Sequence, residues 1–292
     1  MAASFAHGLS AVECGRAAAV AGRSQRHMTE WAAAYPALFS AKPFDAALYG
    51  TVAMAMAFSG PRHTAEELRT ANKACLWAFA LDWLIDYALT SAEEVRGHAR
   101  VCLEVAAGEG PPPGDDLARM LADIRAGLAG APAWPAMEDI WQDEVRRTLE
   151  AMVREWDWKA AHATPSMEEY LANADNHAFS LVFTCHWIAT GGPDAPTAAR
   201  QVREAARAVQ RVMRLLNDLS SYERDRSWGD VNALLIGATR EEVGDRVAVL
   251  TAEAGKLIGG VRDVHPRLAD YLERQMDFCA GFYALGEYWG RL

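Results

Sequence analysis

The sequence predicts an all-α fold, one domain over residues 1–292 holding about ten to twelve long antiparallel helices. Three observations carry it. Apolar residues recur at spacings of three and four, as in AEELRTANKACLWAFALDWLIDYAL (65–89), which lays one greasy stripe along a helix. No run alternates with period two between hairpin turns, as a strand would. Four capping boxes, Thr64–Glu67, Ser91–Glu94, Ser166–Glu169 and Thr239–Glu242, mark helix starts independently. In each, a hydroxyl and an acid three residues on satisfy reciprocal backbone donors.

In chain order, helices are expected at roughly 9–34, 43–58, 64–90, 92–107, 115–128, 135–162, 166–190, 196–226, 230–237, 239–258 and 264–290. Their stops are the turn-forming stretches SGPRH (59–63), GEGPPPGDD (108–116), GAPAWP (130–135) and TGGPDAP (190–196), too short for interdomain linkers. The helix over 64–90 must finish near Thr90, because Ser91 opens the next capping box. No internal repeat or low-complexity tract interrupts the series.

Composition bounds the function. The chain is 51% hydrophobic and 23% charged, an ordinary globular balance. A net charge of −10 argues against nucleic acid or an anionic membrane surface as a main partner and suits recruitment of divalent cations. Cysteines at 14, 75, 102, 185 and 279 form no CxxC pair and read as reduced, buried thiols rather than disulfides or a zinc site. Glu13 and Arg16 interrupt any signal-peptide core, and no segment reaches a charge-free membrane-spanning length, so a soluble cytoplasmic protein is expected.

Two polar clusters stand out against this background. In LDWLIDYALTS (81–91), Asp82 and Asp86 sit at i and i+4 on one face, in the last turns of their helix. In RLLNDLSSYERDRSWGD (214–230), Asn217, Ser221 and Asp225 form an i, i+4, i+8 line with Asp218 and Arg224 beside it. Carboxylates near a helix C-terminus oppose its dipole, and like charges one turn apart repel. A solvated helix face or a cap accounts for either cluster alone. Both together, inside long apolar helices, point to an external cation. Amide, hydroxyl and carboxylate oxygens are hard donors suited to Mg²⁺, and a guanidinium fork suits phosphate oxygens.

With these residues in place, the chain resembles the class I terpene synthases, an all-helical family that ionises prenyl diphosphates with Mg²⁺ around a central cavity. NDLSSYERD (217–225) fits the family's [ND]D[LIV]x[ST]xxx[ED] motif, with Asp at the final position where Glu is commoner. The resemblance implies Asn217, Ser221 and Asp225 as metal ligands, Arg224 as a diphosphate contact, and three Mg²⁺ ions. DWLID (82–86) is a degenerate DDxxD motif: Asp82 and Asp86 keep its ends as implied metal ligands, and Trp83 replaces its middle carboxylate. Where the family places an arginine sensor, EYLANADNHAF (169–179) offers Tyr170 and Asn173 but no arginine. Asn173 is the implied diphosphate contact there. Ent-kaurene-type bacterial synthases, which take copalyl-type bicyclic diphosphates, have a similar stretch.

The resemblance also implies an aromatic-lined cavity, with Trp77, Phe79, Trp83, Phe179, Phe183, Trp187, Phe278 and Phe282 as candidates and core packing as the alternative for each. Small residues near the motifs (Ala74, Ala78, Ala80, Ala172, Ala174, Ala178, Ser180) leave room for a C20 substrate. No DxDD motif for protonation-initiated cyclisation is present, so an upstream class II cyclase is the expected source of a bicyclic diphosphate, and a homodimer is compatible with the family. Tyr222, four residues after Asp218, argues against a head-to-head synthase, and NDLSS stands where a chain-elongating enzyme needs a second DDxxD. The remaining alternatives are a sesquiterpene synthase acting on farnesyl diphosphate and a non-catalytic helical protein that binds an apolar ligand.

Overall fold

A computed structural model describes residues 8–290, and among them there are helices and no strands. The α-helices are α1 (Ala11–Ala34), α2 (Pro36–Phe39), α3 (Ala46–Ser59), α4 (Arg69–Trp83), α5 (Ala92–Ala106), α6 (Asp116–Ala129), α7 (Trp134–Ala160), α8 (Met167–Ala172), α9 (Phe179–Thr190), α10 (Ala199–Trp228), α11 (Arg240–Arg262) and α12 (Pro266–Tyr283). The capping boxes at Ser91, Ser166 and Thr239 each open a helix. A further box, Ser10–Glu13, opens α1 and was equally present in the sequence.

α9 is buried at every position from Phe179 to Ile188, as expected of a helix apolar on all sides. It packs against α4, α7 and α10, while α3 packs against α1 and α12. α3, α4, α7, α9, α10 and α12 surround one large cavity.

The structure departs from the sequence-based boundaries at the places that shape this cavity. The Thr64 box forms, with Glu67 N donating to Thr64 Oγ1 at 3.2 Å, but it closes a turn and α4 begins only at Arg69. α4 then changes winding: Leu84–Ala88 is a π-helical turn, closed by Leu89 N donating to the Leu84 carbonyl at 2.8 Å. Such turns insert one extra residue and re-aim the side chains beyond it, here Asp86.

The single helix expected over 166–190 is broken. α8 passes into a 3-10 turn (Ala174–His177), and Ala178 takes a left-handed backbone, φ +58°, which costs a non-glycine residue about 1–2 kcal/mol. Gln210 of α10 supports the break from both sides: its Oε1 accepts from Ser180 N, and its Nε2 donates to Asp175, each at 2.8 Å. No local signal marks that bridge, which joins residues 30 or more positions apart.

Residues 230–237 form turns instead of the expected helix, because Asn232 Oδ1 accepts from Leu234 N at 2.9 Å while its amide reaches α10. α12 stops at Tyr283, short of 290. The tail then returns to α10, where Ser220 Oγ donates to the Gly286 carbonyl at 2.6 Å.

Candidate active site

The polar end of the cavity is built by two facing helix ends. Asp82, from the last turn of α4, and Asp86, from the π-turn, both line it and are half-buried. Burial pushes the Asp82 carboxyl up to about 6, with Glu155 and Asp225 adding repulsion and Arg224 and Arg214 partly offsetting it. Asp86 lies well above the ordinary carboxylate range, through burial first and then repulsion from Asp230, Asp82 and Glu155. Asp230, also in the wall, is raised to about 6 by burial, against the pull of Lys159.

α10 supplies the opposite side. Asn217 and Asp225 line the cavity. Ser221 Oγ donates to Asp225 Oδ2 at 2.5 Å, and Asn232 Nδ2 donates to the same oxygen at 2.8 Å. Arg224 grips Asp225 Oδ1 at 2.8 Å and places a second nitrogen 2.8 Å from Glu287 of the tail. Asp218, the other acid of the motif, also borders the cavity but is bonded within the protein. Tyr170 OH donates to both its oxygens at 2.9 Å, and Ala233 N to one of them at 3.2 Å. Those bonds pin α10 to α8, and burial raises its carboxyl to about 7.

Arg214 and Glu155 add charge to the wall, and Lys159 braces it from behind the lining. Arg214, three residues before Asn217, lines the cavity and donates to Glu155 at 2.7 Å and to Tyr170 OH at 2.6 Å. Lys159 donates to the Asp86 carbonyl at 2.9 Å and to Asp230 at 2.5 Å. Sequence reading passed over Glu155, Lys159, Arg214 and Glu287, because each is an ordinary charged residue of a helix or tail until the fold brings it inward.

The cavity encloses about 1140 Å³ of empty space when the open solvent at its mouth is included. Of the eight aromatic candidates, Phe79 and Phe179 line it; the other six belong to packing. Trp77 is fully buried and donates Nε1 to the Leu117 carbonyl at 3.0 Å. Phe183 stacks between Phe179 and Trp187 in a buried ladder. Trp83 stacks on Tyr87 at 4.3 Å, and Phe278 and Phe282 pack on each other, near Phe58 and Tyr288. Asn173 also turns away: its amide donates to the Ala151 carbonyl at 2.9 Å, holding the end of α8 against α7.

The aromatic walls that sequence reading missed are Trp228, Tyr283, Tyr288 and Trp289. The last two reach the cavity because the tail folds back, and Trp289 meets Phe79 edge-on at 5.2 Å. FYALGEYWG (282–290) is dense in aromatics, which was the available signal.

These residues fit a divalent metal. The Asp82 and Asp86 side chains have no hydrogen bond or ion pair with the described residues, and face one another and three further acids around one cavity end. A bound divalent cation would offset that repulsion. Among the described residues no three His, Cys, Asp or Glu side chains converge to hold an ion by themselves. The mixed amide, hydroxyl and carboxylate set would leave coordination positions for phosphate oxygens, as Mg²⁺ sites do.

Comparison with known proteins gives the same picture. The family described as "Terpene synthase family 2, C-terminal metal binding" matches residues 73–254, a span containing both acidic helix ends. The ent-pimara-9(11),15-diene synthase of Streptomyces sp. (strain KO-3988) is 24% identical over 273 residues, 90% of each chain. The chloroplastic ent-beyerene synthase of Oryza sativa subsp. japonica is 28% identical over 117 residues, 39% of this chain and 14% of that one. The fold is similar to 2-methylisoborneol synthase from Streptomyces coelicolor A3(2), solved with Mg²⁺ and geranyl-S-thiolodiphosphate: TM-score 0.73, 16% identity, 90% of this chain and 91% of that one. With well over half of its length matched and both helix ends facing one cavity, the chain belongs to terpene synthase family 2, as a class I terpene synthase.

Proposed function

We propose that this chain is a Mg²⁺-dependent diterpene synthase, taking a copalyl-type bicyclic C20 diphosphate in preference to geranylgeranyl diphosphate. The observation that carries this reading is the division of one cavity into two chemistries. Asp82, Asp86, Asn217 and Asp225 occupy one end, and Val52, Ala55, Met56, Ala78, Val182 and Met213 supply an apolar body with little side-chain bulk at its alanines. The diterpene synthase relative that matches nine-tenths of this chain supports the C20 assignment. On this reading residues 1–292 form one catalytic domain working in the cytoplasm, and an upstream class II cyclase supplies the bicyclic diphosphate.

Asp82 and Asp86 would hold metal from α4 and the π-turn, and Asn217, Ser221 and Asp225 from α10, three ions in all. A divalent metal held by these residues would supply charge to offset the departing diphosphate as an allylic C–O bond breaks. Arg214 and Arg224 add positive charge at the same end. The apolar body excludes water from the resulting cation, and Phe79, Phe179, Trp228 and Trp289 present ring faces or edges toward its path.

Diphosphate release from copalyl-type diphosphate tests the reading. Asp82→Ala, Asn217→Ala and Asp225→Ala should each lower turnover by about a hundredfold or more with helical content unchanged. Asp225→Glu should keep measurable activity, while Asp225→Asn should lose most of it. Full activity in EDTA would overturn the metal assignment.

A further inference from the structure

His177 is a titratable group that the ionisation step does not use. It ends the 3-10 turn immediately before the left-handed Ala178, and it lines the cavity between Asn176 and Phe179. Asn176 faces Asp82, Asp86 and Glu155 in a small annex, whereas Phe179 and Val182 belong to the apolar wall. The imidazole therefore stands at the border between the charged end and the hydrocarbon body. Its Nδ1 is enclosed with no hydrogen-bond partner, so no neighbour commits the ring to a structural bond, and Nε2 is the nitrogen left accessible.

We propose that His177 is the base that ends the reaction, accepting the final proton of the carbocation on Nε2. The inference rests on the class I terpene synthase reading. The other groups in the wall are committed or unsuited. The carboxylates of Asp82, Asp86, Asp225 and Asp230 belong to the metal end; Glu155 holds Arg214, and Asp218 holds Tyr170. The Cys75 thiol is pushed up to about 12 by burial, and burial likewise keeps the Tyr283 and Tyr288 phenols protonated. Burial, with Arg214 nearby, lowers His177 to about 4, so the ring is neutral before ionisation and presents a lone pair. A carbocation is so strong an acid that even a weakened imidazole accepts its proton downhill.

The step balances. A C–H bond on the carbon next to the cationic centre breaks, and its electron pair becomes the second bond of an alkene. The proton joins Nε2, the charge passes from carbon to imidazolium, and the departed diphosphate is the counter-ion. The proton leaves to water when the product does. The 24%-identical relative is named for a diene, the kind of product this ending gives.

The test uses His177→Ala and His177→Gln in the full chain, with helical content checked and diphosphate release and product composition read together. Both variants should slow diphosphate release less than about tenfold while the share of the wild-type alkene falls about tenfold or more, replaced by isomeric alkenes or water-captured alcohols. Added imidazole should restore the alkene in His177→Ala, and pyrrole, of the same shape but without a basic nitrogen, should not. Unchanged products in both variants, restoration by both additives or by neither, or a wild-type enzyme giving only alcohols would overturn the assignment. No diphosphate release from any prenyl diphosphate by the wild type would instead count against the enzymatic reading itself.

Discussion

Lys159, in the last turn of α7, donates to the Asp230 carboxylate at 2.5 Å and to the Asp86 backbone carbonyl at 2.9 Å. One ammonium thus ties the π-turn that carries Asp86 to the segment that follows the Asp225 end of α10. The position at a helix C-terminus favours the cation further. Its effect is to fix the distance between the two acidic helix ends.

Lys159→Ala should therefore loosen the site before it unfolds the protein. We expect the Mg²⁺ concentration for half-maximal activity to rise several-fold, with a loss of about 1–3 kcal/mol in stability, and Lys159→Arg to recover most of the Mg²⁺ response. Titration of activity with Mg²⁺, beside thermal melts, checks this. A melting loss with an unaltered Mg²⁺ requirement would reduce Lys159 to packing.

Arg224 is held by Asp225 and, through its other nitrogen, by Glu287 of the tail at 2.8 Å. A diphosphate must compete with Glu287 for that guanidinium. Glu287→Gln should tighten inhibition by inorganic diphosphate several-fold in Mg²⁺, while Arg224→Gln should weaken it about tenfold. Inhibition constants of the two variants moving in the same direction would contradict the competition.

The acidic end should also make the metal-free protein pH-sensitive. Asp82 titrates near 3.8 when unfolded and about 6 when folded. Its favourable contribution is fully present below pH 3.8 and is lost as pH rises through 6. Asp82→Asn removes the ionisation. In EDTA the variant should melt about 2–6 °C above wild type at pH 7.5, with the gap closing near pH 4. A pH-independent gap would show that the carboxylate is not strained by charge.

How much of this was legible in the sequence follows from the range of the interactions involved. NDLSSYERD announced Asn217, Ser221 and Asp225 because helical spacing alone puts them on one line, and Asp82 and Asp86 were visible for the same reason. The π-turn at Leu84–Ala88, the left-handed Ala178 and the returning tail were not visible. The first two contain no glycine or proline at the break, and Gly286 in the tail marks a turn without showing where the chain goes after it. Ala178 is propped by Gln210 and the tail is tied by Ser220 and Arg224, contacts made only after folding. Six of the eight aromatic candidates lie off the cavity for a related reason: Trp77 and Phe183 share residue type and helical setting with Phe79, and only packing decides which of them meets the cavity.

The central claim is that this cavity ionises a C20 diphosphate, pre-cyclised in preference to linear. The direct measurement is kcat/KM for copalyl-type, geranylgeranyl and farnesyl diphosphates, with Mg²⁺, in one diphosphate-release assay with product analysis. A bicyclic substrate leaves less chain to order at the site, so the account predicts copalyl-type diphosphate first, geranylgeranyl diphosphate second and farnesyl diphosphate last. Efficient turnover of the C15 substrate alone would contradict it.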